Sequence, residues 1–249
     1  MLPLCCDDTV EPERRPVHTP VGVVTQYASA ELIGRIAYDG YEPADDPNWQ
    51  ESGAPSRTAY GRWCRHLCGM ACLRMVLMHR DGQAPSLFQL LAGARQYGAY
   101  VKEDNGTDHD IKGLIYAPFA QYAQDTHDLP ATVHGTLDIS ELVDLLAAGQ
   151  MVMASVAKEI RRPALDPARR GGHLVLAIGR QRDQIVFRNP SGHTQQAREA
   201  TLPVGRFDDF FGGRGLSLDL RRPARRTPAD APAVTGTAAT GPVASTQTT

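Results

Sequence analysis

No apolar run in this sequence reaches the roughly 20 residues that a membrane-crossing helix needs. A charge of one sign is missing too. The 26 basic and 28 acidic residues leave a net charge of −2, which gives no general pull toward nucleic acid or anionic lipid. The start of the chain lacks the basic n-region of a secretory signal, since Met1-Leu2-Pro3-Leu4-Cys5-Cys6 turns acidic at once with Asp7 and Asp8. These absences point to the cytoplasm, with neither nucleic acid nor membrane as a partner. Cysteine is scarce and odd in number, five in 249 residues, without the spacing of a disulfide framework. Cys5 and Cys6 read as terminal residues, with palmitoylation or metal binding as the alternatives. There are no internal repeats.

What is present suits one domain of moderate size, because 42% hydrophobic residues can bury a core. Residues 1–20, rich in Pro, Glu and Arg, read as an irregular arm, and residues 21–222 as the domain. Residues 223–249 are Pro, Ala, Thr and Gly with few large apolar side chains, so this tail is expected to be disordered.

Within the domain, Val21–Gln26 reads as a short strand and Ala28–Ile36 as a short helix capped by Ser29. Tyr38–Ala54 reads as a long loop. Between Ala71 and Met78 only Arg74 is charged, the pattern of a helix buried on nearly all sides, ending at Asp81-Gly82. Helical periods follow over Ser86–Tyr97 and Ile111–Tyr122, around a polar loop that turns at Asp104-Asn105-Gly106. Ser140–Leu146 is an amphipathic helix closed by Gly149. The period then becomes extended. Met151–Ala157, His173–Gly179 and Gln184–Arg188 read as strands, the last two forming a hairpin about Arg180–Asp183. Leu216–Leu220 reads as an edge strand. Helices first and strands second predict an α+β fold, with the central helix packed on an antiparallel sheet.

Cys68-Gly69 stands where the central helix begins. A thiol there meets the positive end of the helix dipole and backbone N–H groups without helical partners, a setting expected to lower its pKa. Gly69 is expected to let a substrate approach the backbone. A cysteine nucleophile needs a base, usually a histidine oriented by Asn or Asp. His173 follows Gly171-Gly172 at the mouth of an apolar strand. The hairpin returns Asn189 toward it, to accept a hydrogen bond from the imidazole and fix its tautomer.

Three segments, Cys68-Gly69-Met70-Ala71-Cys72-Leu73-Arg74-Met75, Gly172-His173-Leu174-Val175-Leu176-Ala177-Ile178-Gly179 and Arg188-Asn189-Pro190-Ser191-Gly192, resemble the C39-like branch of the papain-like cysteine peptidases. The resemblance covers roughly residues 21–220. It implies a papain-like fold and a Cys68-His173-Asn189 triad without a cofactor. Met70 replaces the common Pro after Cys-Gly, and Asn189 stands where Asp is commoner. The family also implies an oxyanion-hole Gln shortly before the nucleophile. No Gln stands there, which leaves Gln26 first and Gln50 second.

The plainer readings stand beside these. Cys68 is otherwise a buried structural thiol, Cys72 a core residue, and Cys64 either neutral or a redox partner of Cys68. Cys64, Cys68 and Cys72 on a single helix would spread over about 12 Å of its axis. Thiolates on one zinc sit within about 4 Å of each other, so no metal site is expected, and neither His66 nor His79 repairs the geometry. Asp108-His109-Asp110 reads as a turn. Arg161, Arg162, Arg169 and Arg170 flank the approach to His173; a solvated loop is the plainer reading and recognition of a carboxylate the sharper one.

The resulting expectation is hydrolysis of a peptide or small amide through a thioester acyl-enzyme. Cys68 attacks, His173 acts as base and then acid, and Asn189 orients His173. The alternatives are a non-catalytic peptide-binding module of the same fold and a cysteine acyltransferase. The family's transporter-linked members cleave leader peptides, and extending that substrate here is analogy. The oligomeric state is not legible.

Overall fold

The computed structural model describes residues 21–101, 111, 113–163 and 165–221. The helices are α1 (Ile33–Tyr38), α2 (Arg57–Trp63), α3 (Cys68–Asp81), α4 (Leu87–Gln96), α5 (Tyr116–His127), α6 (Ile139–Ala147), α7 (Gln195–Arg198) and α8 (Val204–Phe210). The strands are β1 (Ala131–His134), β2 (Met151–Ala157), β3 (Gly172–Gln181), β4 (Gln184–Arg188), β5 (Glu199–Pro203) and β6 (Phe211–Leu218). Short 3₁₀ turns include Cys64–His66 and Lys158–Arg161. The expected arm, the tail, the 104–106 turn and the Asp108-His109-Asp110 segment lie outside the described residues.

All six strands join one antiparallel sheet in the order β1-β6-β2-β3-β4-β5. Along β3, Leu174, Leu176 and Ile178 enter the core built on α3, α4 and α5, whereas Val175 and Ala177 enter a second core with α6 and α8. Strand side chains alternate between faces, so helices on both sides explain why β2 and the middle of β3 are buried without interruption. The fold is α+β, with α3 central as the sequence indicates. Its buried residues include Met70, Ala71, Cys72, Leu73, Met75, Val76 and Leu77. Gly82, at φ 75°, ends it.

Local chemistry settles most boundaries. Ser86 with Gln89 and Asp138 with Glu141 form capping boxes that start α4 and α6. Several expectations need correction. Val21–Gln26 is not a strand, because its polar groups are taken elsewhere: the Gln26 N–H donates to Pro190 O at 2.9 Å and Val21 O accepts from Arg188 Nε at 2.7 Å. The expected helix over Ala28–Ile36 is a 3₁₀ turn followed by α1, and Ser29 Oγ bonds Asp46 at 2.6 Å instead of capping it. Tyr38–Ala54 contains two 3₁₀ turns. The helix expected from Ile111 begins at Tyr116, with Pro118 in its first turn, where a missing N–H breaks no helical bond. The strand near Leu216 is not at an edge, since β6 lies between β1 and β2. β1, β5, α2, α7 and α8 have no counterpart among the expected elements.

Candidate active site

Buried Asp46 ties the segment before α1 to α2. It accepts from Ser29 N–H and from the Tyr60 hydroxyl at 3.1 and 2.7 Å, while the Tyr60 oxygen accepts from the Ala28 N–H at 2.9 Å. Gln26 is thereby held beside the turn that precedes α3. Its Nε2 donates to Cys64 O at 2.9 Å, and its buried Oε1 has no partner. Gln50, the second candidate, is exposed on a 3₁₀ turn.

Cys68 is the first residue of α3, and Leu67 before it offers no side-chain cap. The first helical bond runs from the Ala71 N–H to Leu67 O. The N–H groups of Cys68 and Gly69 are thus free of helical partners and lie against the Cys68 thiol. Gly69 has a different role from the one expected. A Cβ there would stand 2.8 Å from Leu114 Cδ2, 3.2 Å from the Tyr100 hydroxyl and 3.5 Å from Leu174 Cδ1. The missing side chain admits the protein's own neighbours.

Pairing of β3 with β4 begins only at Leu176 and Arg188. The residues of β3 before that point meet α3 instead. The Leu174 N–H faces Cys68 Sγ, and Leu174 O accepts from the Cys72 thiol at 3.9 Å. Two cysteines one helical turn apart therefore grip the peptide groups of the residue that follows His173. Cys64, Cys68 and Cys72 are all free thiols, and Cys64 and Cys72 are buried.

His173 is buried, with its Nε2 2.8 Å from Asn189 Oδ1 and 3.1 Å from Ser191 Oγ. The Asn189 amide is oriented from two sides: Nδ2 donates to Ile160 O at 3.4 Å, and Oδ1 accepts from the Ser191 N–H at 3.1 Å. With Oδ1 fixed as an acceptor, Nε2 carries the ring proton and Nδ1 keeps its lone pair. Arg161 Nε donates to Ser191 Oγ at 2.6 Å and extends the chain. Ser191 was not singled out from sequence, although an Asn-Pro-Ser run whose Asn accepts two residues ahead is a recognisable Asx turn.

The electrostatics reverse one expectation. Desolvation raises the Cys68 thiol above its ordinary value despite the opposing N–H groups of Leu174, Gly69 and Cys68 and the charge of Arg161. Desolvation, with Arg161 adding to it, pushes His173 down to about 3, and only the Asn189 bond opposes this. At rest the site holds a neutral thiol and a neutral imidazole. Among the described residues no hydrogen bond joins Cys68 to His173. Nor does any group of three or more His, Cys, Asp or Glu side chains there converge as a metal site.

The other arginines differ from Arg161. Arg162 lies over the Tyr38 ring at 3.9 Å and donates to His193 Nδ1 at 3.2 Å, and Arg169 and Arg170 are exposed.

No family model and no curated protein matches the chain. Among solved structures it is similar to the peptidase domain of Streptococcus ComA, a bi-functional ABC transporter involved in quorum sensing, at 17% identity and a TM-score of 0.44, covering 61% of this chain and 90% of that one. A C39-like peptidase from Bacillus anthracis gives 17% identity and a TM-score of 0.44 over 64% of this chain and 90% of that one. A double glycine motif protease of an AMS/PCAT transporter, solved with its leader peptide, gives 17% and 0.40 over 61% and 82%.

Proposed function

We propose that the chain is a cysteine peptidase or amide hydrolase in which Cys68 is the nucleophile, His173 the base and acid, and Asn189 the residue that orients His173. The observation that carries this reading is the buried His173–Asn189 bond at 2.8 Å, held one residue from the peptide group that the Cys68 thiol faces.

In the first step the Cys68 proton passes to His173 Nδ1 as Sγ bonds the scissile carbonyl carbon and the carbonyl electron pair moves to oxygen. The free N–H groups at the start of α3 are suited to hold that oxygen. Gln26 Nε2, with one proton on Cys64 O, has a second proton for the same purpose. Collapse expels the amine with the proton from Nδ1 and leaves a thioester on Cys68. Water, deprotonated by Nδ1, then releases the acid and the thiol. A neutral resting pair fits this sequence, because charge separates only when substrate arrives to share it. An amine or thiol acceptor in place of water would give the acyltransferase version.

A second reading is a non-catalytic peptide-binding module of this fold. The missing Cys68–His173 hydrogen bond favours it, although such bonds often tighten only with substrate present. A defined peptide library, read for new termini by mass spectrometry with the wild type and Cys68→Ala, separates the two. Cleavage lost in the variant supports the hydrolase; an intact library with peptides still retained by both proteins supports the module.

A further inference from the structure

The geometry points to Arg161 as a substrate-binding residue that takes a carboxylate beside the scissile bond, on the side of the His173 imidazole. The substrate class is then a peptide or amide presenting an acidic group at that place. This deepens the reading of Cys68 as nucleophile and rests on it.

Four observations carry the inference. Arg161 is half-buried and fixed by one donor, Nε to Ser191 Oγ at 2.6 Å, and that oxygen lies 3.1 Å from His173 Nε2. The guanidinium is thus within two hydrogen bonds of the proposed base. Among the described residues that bond is its only one and no carboxylate pairs with it. Glu159 on the same turn does not neutralise it, and its buried Oε2 is itself without a hydrogen bond. The charge of Arg161 acts on Cys68, His173 and Tyr27, and on His193 as well, in keeping with a place beside the site.

A guanidinium anchored through Nε keeps its two terminal nitrogens as a fork for a carboxylate. Partial burial makes such a pairing stronger than one in open solvent. Arg162, occupied by Tyr38 and His193, and the exposed Arg169 and Arg170 have neither the anchor nor the position.

The test is the ratio of Cys68 alkylation rates with iodoacetate and iodoacetamide, followed by mass spectrometry of the Cys68 peptide. The two reagents differ by a carboxylate in place of an amide, so a change in thiol pKa cancels in the ratio. Replacing Arg161 by Gln is expected to lower the ratio about tenfold, the scale of one hydrogen bond to a charged group. Arg161→Lys should fall between, since it keeps the charge and loses the fork. A ratio changed less than about twofold by Arg161→Gln, or a Cys68 that reacts with neither reagent, overturns the proposal. If Arg161→Gln does not fold, Ser191→Ala releases the anchor, and a ratio indifferent to that change is equally fatal. Alkylation needs no turnover. A protein that prefers the anionic reagent yet cleaves no peptide keeps this inference and loses the hydrolase.

Discussion

His173 stands on β3 and Asn189 one residue beyond β4, so their 2.8 Å bond lies past the end of regular pairing between those two strands. The imidazole is held by a turn and not by the ladder. Asn189→Ala therefore removes the tautomer lock while leaving the sheet intact. The expected loss in kcat/KM is roughly a hundredfold, the lower end of what a positioned acid–base group contributes. Asn189→Asp should differ in kind: a carboxylate on Nε2 favours imidazolium, so Cys68 alkylation in that variant should persist to lower pH than in the wild type. Identical pH profiles for the two proteins would contradict the assigned role.

Acid stability follows from the same histidine. Its folded pKa is depressed, from an ordinary value near 6.5 to about 3. Between those values the unfolded chain binds a proton that the folded chain refuses, so stability rises with pH across this window and is flat above about pH 7. As pH falls from 7 to 4 the wild type should lose a few kcal/mol more than His173→Gln, on the order expected for a shift of that size. Urea midpoints of both proteins at the two pH values measure it. Equal losses would mean that His173 is not held neutral.

Gly69→Ala tests the close packing at the start of α3. Alanine is the better helix former by about 1 kcal/mol, but its Cβ would stand 2.8 Å from Leu114 Cδ2 and 3.2 Å from the Tyr100 hydroxyl. Overpacking of that kind costs about 1–3 kcal/mol. The net effect should be destabilising in a urea titration, and a stabilised variant would show that the neighbours give way freely.

Gln26→Met keeps the volume and removes the amide. Cys64 O then loses its donor, at a cost of about 1–3 kcal/mol in stability. If the second Nε2 proton serves the oxyanion, kcat should also fall by roughly 10² to 10³ with little change in KM. A stability loss with unchanged kcat would assign Gln26 a purely structural part.

The features legible in sequence were those written in local chemistry. The all-round apolar pattern marked α3, Gly82 its end, and the run around Gln184–Arg188 the hairpin that carries Asn189. The position of β6 was not legible, because its partners β1 and β2 come from distant parts of the chain and no local signal records the order. The raised pKa of Cys68 is not legible in sequence for a related reason. The helix start is visible in sequence, whereas the burial that outweighs it exists only once the chain has folded around the thiol. Arg161 could not be told from its neighbours until its bond to Ser191 distinguished it.

The most direct test of the central claim is an acid quench of the full chain early in a reaction with a peptide library, followed by mass spectrometry of the Cys68 peptide. The account predicts an added acyl mass on Cys68 that hydroxylamine removes and that His173→Ala does not accumulate. Library peptides cleaved while Cys68 stays unmodified, or an adduct indifferent to His173→Ala, would contradict it.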